Sequence, residues 1–236
     1  MTAFQEAYRA GADMIELDVQ LSKDSVPVVF HDTTLDRLTN VSGKVNSYTF
    51  RELNKVNAGH RFHKSFSLTP IPSLEEVLEW AAGKMAVNIE IKKEAVEEVF
   101  KSSGESGIEK MVVDLVNKYR MQDVVLISSF ASIAVKRIKQ MNPGISTGLL
   151  FKPDKQSERE LHPMELMEKY NADCFHCHWM ELKSRWLTEL KQQEIPVFVY
   201  TVNSRRRMRT LIADGVTGIF TDRPDRLLDV IRKMGM

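Results

Sequence analysis

The sequence predicts an α/β fold, a (β/α)₈ TIM-type barrel that lacks its first β-strand. Three observations lead there. From Ser73 onward, apolar runs of strand length alternate with runs of helical spacing, the pattern of parallel βα units. The conspicuous polar residues (Glu16, Asp18, His31, Glu90, Lys92, Ser129, Asn203 and Asp222) fall toward the C-terminal ends of their strands, where barrels build their sites. No Gly-x-Gly-x-x-Gly or Walker pattern opens a helix, which argues against a nucleotide-binding doubly wound sheet.

In chain order, apolar residues at 3, 4, 7 and 8 predict a helix over 3–10, with Thr2 as its N-cap and Gly11 at its end. A strand follows over 12–20, then the turn Ser22-Lys23-Asp24-Ser25 and a strand over 26–31. Residues 33–72 turn polar and show only a short helix near 50–56, so they read as a small insertion or loop over the site. Ser73 and Glu76 form a capping-box start for a helix over 74–82. Strands are expected next over 85–92, 124–129, 145–151, 172–176, 197–202 and 218–221. The helices between and after them are expected over 108–119, 132–141, 163–170, 183–193, 205–214 and 224–234. With 12–20 and 26–31 as one arm, the count is seven strand–helix units. A barrel's leading strand should precede the helix at 3–10, where the chain begins, so one strand is expected to be missing and strands 12–20 and 218–221 to present open edges.

A chain of 236 residues suffices for one large domain, read here as 1–236. Its net charge of +1, from 33 basic and 32 acidic residues, offers no concentrated basic surface, so nucleic acid is not an expected partner. No apolar run approaches the roughly 20 residues that span a bilayer, and residues 1–10 lack a signal-peptide core, so a cytoplasmic location is the default. Both cysteines lie in Cys174-Phe175-His176-Cys177-His178. Zinc sites usually draw on two such clusters, and the alternation fits a buried strand with Cys174 and His176 on one face. Arg205-Arg206-Arg207-Met208-Arg209 reads as a solvated helix face capped by Asn203 or Ser204, and His60, His63, His162, His176 and His178 as structural or surface groups.

The chemistry is written in strand 12–20. Ile15, Leu17 and Val19 share one parity; Glu16 and Asp18 share the other. Adjacent carboxylates on a buried face repel unless a cation or proton sits between them. A solvated edge strand is the alternative for this stretch alone. The second strand, however, ends in His31-Asp32, and strand 85–92 repeats the design with Glu90 and Lys92 on one face.

Taken together, these segments resemble the glycerophosphodiester phosphodiesterase family. The resemblance is carried by Gly11-Ala12-Asp13-Met14-Ile15-Glu16-Leu17-Asp18-Val19-Gln20-Leu21, Val28-Val29-Phe30-His31-Asp32, Leu35-Asp36-Arg37-Leu38-Thr39 and Ile71-Pro72-Ser73-Leu74-Glu75-Glu76. Asn88-Ile89-Glu90-Ile91-Lys92, Ser128-Ser129-Phe130, Tyr200-Thr201-Val202-Asn203 and Thr221-Asp222-Arg223-Pro224 complete it. It implies a barrel with a small insertion after the second strand, and metal-dependent hydrolysis of glycerophosphodiesters to glycerol-3-phosphate and an alcohol by general acid/base catalysis. It further implies that Glu16, Asp18 and Glu90 bind one divalent cation, Mg²⁺ or Ca²⁺. His31 is then one of two catalytic histidines, Lys92 contacts phosphate, and Tyr200 supplies an aromatic wall where many members carry tryptophan. The family's opening His-Arg-Gly strand and Pro-Glu-Asn-Thr segment have no counterpart here. Two alternatives follow: a metal- or phosphate-binding remnant with impaired catalysis, or a related lysophospholipid-directed phosphodiesterase with Phe62, Phe66 and Leu68 on its rim.

Overall fold

The computed structural model describes residues 1–59, 69–96, 107–153 and 162–236. Its strands are β1 (Met14–Leu21), β2 (Pro27–Val29), β3 (Ala86–Ile91), β4 (Val125–Ser129), β5 (Ser146–Phe151), β6 (Cys174–His178), β7 (Val197–Tyr200) and β8 (Gly218–Ile219). Its helices are α1 (Thr2–Arg9), α2 (Phe50–Leu53), α3 (Leu74–Ala81), α4 (Ile108–Lys118), α5 (Ser132–Met141), α6 (Pro163–Tyr170), α7 (Ser184–Gln192), α8 (Arg205–Asp214) and α9 (Pro224–Lys233). The strands form one curled sheet in the order β2-β1-β3-β4-β5-β6-β7-β8. Each strand from β3 to β8 runs parallel to its predecessor, starting from β1, while β2 folds back antiparallel onto the end of β1. Among the described residues β1 and β8 do not pair with each other, so the (β/α)₈-type sheet curls without closing.

Alternation along each strand decides what goes where. Ile15, Leu17 and Val19 of β1 and Val87, Ile89 and Ile91 of β3 face outward, into a core shared with Leu74, Val77 and Leu78 of α3 and Val112 and Val116 of α4. A second core joins Phe175 and Cys177 of β6 and Val197 and Val199 of β7 to Trp186 and Leu190 of α7 and Leu211 of α8. The opposite parity lines the concave side. Asn88, Ser128 and His176 are buried there. Burial drives the His176 pKa down to about 3, so its ring is neutral, with Cys174 Sγ 3.2 Å from Nε2. The ring lies against the β5 backbone at Gly148, where a Cβ would sit 2.8 Å from Nε2. Cys174, His176 and Cys177 therefore serve packing.

The helix ends refine the sequence reading. Ser73 does make the capping box, accepting from the Glu76 N–H at 3.1 Å while its own N–H donates to Glu76 Oε2 at 2.7 Å. Gly11, at φ +87°, ends α1 in a conformation that side chains rarely adopt. Thr2, however, lies inside α1, whose N-cap is Met1. Ser204 occupies the α8 N-cap position without a side-chain capping bond, and Asn203 is engaged elsewhere.

The polar stretch 33–72 also differs from expectation. Leu35, Val45, Leu53, Val56 and Ile71 are buried there, together with Val28 and Phe30, in an apolar cluster of their own. Their irregular spacing follows from turns rather than a repeating element, which is why periodicity missed them. α2 is a single turn capped by Thr49, shorter than the expected 50–56. His60, Phe62, His63, Phe66 and Leu68 lie outside the described residues. No helix among the described residues is long and apolar enough to cross a membrane.

Candidate active site

Parallel pairing of β1 with β3 sets Asp18 beside Glu90 and Glu16 beside Asn88. All four belong to the concave parity, since their strand neighbours fill the outer core. The structure thus brings Glu16, Asp18 and Glu90 together, with one carboxylate oxygen from each lying within 4.8 Å of the others. Lys92 comes in just past β3, where its backbone N–H donates to Val19 O at 3.0 Å. Its ammonium donates to Asp18 Oδ1 at 3.0 Å and Glu90 Oε1 at 3.2 Å.

Charge crowding shows in the protonation of the cluster. Glu16 stands in the open part of the concavity, reachable by water yet closely surrounded by protein. That surrounding, then Asp18 and Glu90, push its carboxyl up to about 8. Burial, then Asp18, also raises Glu90, against the pull of Lys92. Burial opposes the Lys92 charge, but Glu90 and Asp18 outweigh it and hold the ammonium above its ordinary value. One lysine does not neutralise three carboxylates. The remaining negative charge and the all-oxygen donor set fit a hard divalent cation.

His31 follows β2, and the loop that bears it is tied to β1 by the Phe30 N–H, which donates to Asp18 O at 3.0 Å. The imidazole is close enough for its charge to favour the ionised form of Glu90. Its Nδ1 lies 2.7 Å from Asp32 Oδ1. Arg37 grips the same carboxylate at two points, 2.6 and 2.8 Å, and with help from His31 lowers Asp32 to about 2. Asp32 is thus ionised, Nδ1 carries the hydrogen, and Nε2 is left for other work.

Tyr200 ends β7 and donates its hydroxyl to Phe151 O at 3.1 Å. Its ring meets Phe130 and His178 edge-on, with centroids 6.3 and 6.0 Å away. Burial, then Cys177 and Glu90, raises its phenol, which stays neutral. His178, expected as a structural or surface group, stands against this wall.

Other polar residues at the strand ends serve the frame. Ser129 has the outer parity and donates to Ile91 O at 2.7 Å, so it lies away from the carboxylates. Asn203 donates to Asp222 Oδ2 at 2.6 Å and accepts from the Thr221 hydroxyl and the Asp222 N–H, which joins the loops after β7 and β8. His162 pairs with Glu189 at 2.8 Å. Within the basic run, Arg207 covers the Trp179 ring at 4.2 Å and Arg205 lies 3.4 Å from Asp229. Sequence reading passed over Gln20 and the Asp32–Arg37 pair. Gln20 shares the parity of Glu16 and Asp18, a signal that was available.

Three acids, a half-buried lysine and a nearby histidine thus stand at the strand ends of a parallel α/β sheet. The model of the Glycerophosphoryl diester phosphodiesterase family matches residues 1–226, and the chain belongs to that family. It is 35% identical to a glycerophosphodiester phosphodiesterase of Caldanaerobacter subterraneus subsp. tengcongensis, over all of this chain and 92% of the relative. It is 32% identical to one from Bacillus altitudinis, over 99% of this chain and 92% of that protein. Among solved structures, an Oleispira antarctica phosphodiesterase in complex with the product sn-glycerol-3-phosphate superposes with a TM-score of 0.84 at 26% identity, covering 96% of this chain and 88% of that one. A glycerophosphodiester phosphodiesterase from Agrobacterium tumefaciens shares the fold, with a TM-score of 0.77 at 24% identity over 95% of this chain and 90% of its own.

Proposed function

We propose that this chain hydrolyses glycerophosphodiesters, small molecules such as glycerophosphocholine, to glycerol-3-phosphate and an alcohol at the mouth formed by β1, β3 and the loop after β2. The observation that carries the reading is the convergence of Glu16, Asp18 and Glu90 with Lys92 between two of them. The product bound by the Oleispira antarctica relative supports the substrate class.

Glu16, Asp18 and Glu90 are the residues that hold the divalent cation, Mg²⁺ or Ca²⁺. When bound, the ion draws charge from the phosphoryl oxygens and offsets the repulsion among the acids. Lys92 places a fixed positive charge where a phosphate oxygen enters, and its pairing with Asp18 and Glu90 keeps it protonated throughout. Water supplies the oxygen that joins phosphorus, the ester P–O bond breaks, and a proton reaches the departing alkoxide. His31 handles that proton at Nε2, because Asp32 holds Nδ1. Tyr200 closes one side of the cleft with a neutral aromatic surface.

The test is a coupled glycerol-3-phosphate assay with glycerophosphocholine, run with EDTA and with Mg²⁺ or Ca²⁺. Turnover should depend on the added ion. His31→Ala should lower it by about 10²–10⁴, the usual contribution of a general acid or base. Near-normal turnover from His31→Ala with intact ion binding would remove His31 from the mechanism.

A further inference from the structure

We propose that Gln20 is the positioning residue for His31, with both amide hydrogens spent on aligning the histidine loop; this deepens the reading above and rests on it. The β1–β2 ladder pairs Leu21 with Pro27, Gln20 with Val28 and Val19 with Val29, and Val29 is the last residue of β2. The carbonyls of Phe30 and Asp32 lie beyond that ladder, although the Phe30 N–H still reaches Asp18 O at 3.0 Å. Gln20 Nε2 donates to both, at 2.7 Å to Phe30 O and 2.8 Å to Asp32 O. These are the carbonyls on either side of His31. An amide nitrogen has two hydrogens, so the group is saturated by this one task.

His31 needs such help. Its side chain is 65% exposed, so packing does not fix it. Gln20 is only 8% exposed and sits on a strand whose outward face is locked in the core. Tying the loop to that side chain transmits the rigidity of β1 to an imidazole that lacks its own. The tether is complementary to the one at the ring, where Arg37 holds Asp32 and Asp32 holds Nδ1. Backbone and ring are thus fixed separately. Gln20 also lies two residues beyond Asp18 on the same face, so one strand presents two of the three acids and aims the proton-transfer group at them.

A residue that merely filled space would not act through His31, and a double-mutant cycle separates the two roles. Gln20→Met keeps the length and removes the donors. It should lower kcat by about 10–100-fold, as misplacement of a catalytic group does, leave KM within about twofold, and leave Mn²⁺ affinity by calorimetry unchanged. In a His31→Ala background the same change should cost less than about twofold further. Backbone relaxation should show the His31 amide order parameter falling from about 0.85 toward 0.6. Gln20→Asn, which retains the donors but withdraws them by one methylene, should be as slow as Gln20→Met and covers the case in which the first variant fails to fold.

The inference is overturned if both variants turn over normally with an unchanged His31 order parameter, if the Gln20 and His31 losses multiply, or if ion affinity falls in step with kcat, which would place the effect on Asp18. Full turnover by His31→Ala would instead sink the role given to His31, while the relaxation measurement still decides whether Gln20 orders the loop.

Discussion

Replacing Lys92 with methionine removes the ammonium while keeping most of the side-chain volume. Asp18 and Glu90 are then left as partly buried carboxylates without their 3.0 and 3.2 Å partner. Breaking a fully buried pair costs about 3–5 kcal/mol. Here the side chains retain 13–15% exposure, so water repays part of the loss, and about 2–3 kcal/mol is expected. For a protein of this size each kcal/mol moves Tm by about 2–4 °C, so Lys92→Met in EDTA should melt about 4–12 °C below the parent. The same change frees two carboxylates from an internal competitor. Divalent ions should therefore bind the variant more tightly, and at about 100 times Kd they return roughly 2.7 kcal/mol, enough to bring it back to the Tm of the metal-free parent. Turnover should still fall, since the phosphate has lost its fixed cation. Thermal melts across a Ca²⁺ titration, paired with calorimetry, read both effects. An unchanged Tm in EDTA, or ion affinity that drops with the lysine, would refute the picture of Lys92 as a charge held among the acids.

Glu16 makes the metal-free protein pH-sensitive. Its folded-state pKa of about 8 lies above its ordinary 4.5, so the folded state keeps a proton that the unfolded chain releases. Stability from this group is fully present below the unfolded value and is lost as pH rises through the folded one. Denaturant melts in EDTA from about pH 5 to 8.5 should show that decline, and Glu16→Gln should flatten it; a flat parent profile would refute the assignment. Gly148→Ala should destabilise by about 1–3 kcal/mol, because the new methyl meets His176 Nε2 at 2.8 Å and that ring is fully buried. A Tm within about 1 °C of the parent would show that the ring can move.

What the sequence reveals and what it hides divide along a physical line. Strands β3 to β8 are legible because both faces contribute signal: an unbroken outer parity such as Val87, Ile89 and Ile91, and sharp breaks at the turns. The carboxylate pairing is legible for the same reason, since parity alone puts Glu16, Asp18 and Glu90 on one side. Direction is less so. Nothing in residues 26–31 states that β2 runs antiparallel onto β1, which follows from the short turn that returns the chain. The cluster of Leu35, Val45, Leu53 and Ile71 has no period to detect. Contacts that reach across the fold are hidden altogether: Tyr200 finds Phe151 O, a partner 49 positions away, and no local pattern announces it.

The same line explains how the site is held. A catalytic constellation needs its groups placed to about 0.5 Å, and elements locked by packing achieve that better than loops. Glu16, Asp18 and Glu90 inherit their positions from strands whose alternate residues, Ile15, Leu17, Val19, Ile89 and Ile91, are 3% exposed or less. To displace the backbone that carries a carboxylate, the strand would have to leave its core. Lys92 is one step beyond β3 and is kept in line by its N–H bond to Val19 O and by the Ala95 and Val96 N–H groups that donate to its carbonyl. His31 is the exception, carried on a loop and open to solvent. It is also where side-chain hydrogen bonds to the backbone and to a fixed carboxylate concentrate, from Gln20, Asp32 and Arg37. Packing holds the strands that carry the carboxylates, and hydrogen bonds hold the loop that carries His31. That division suits the proposed chemistry, because oxygens that share one cation must stay within reach of one another, while an imidazole that exchanges a proton with water must stay accessible.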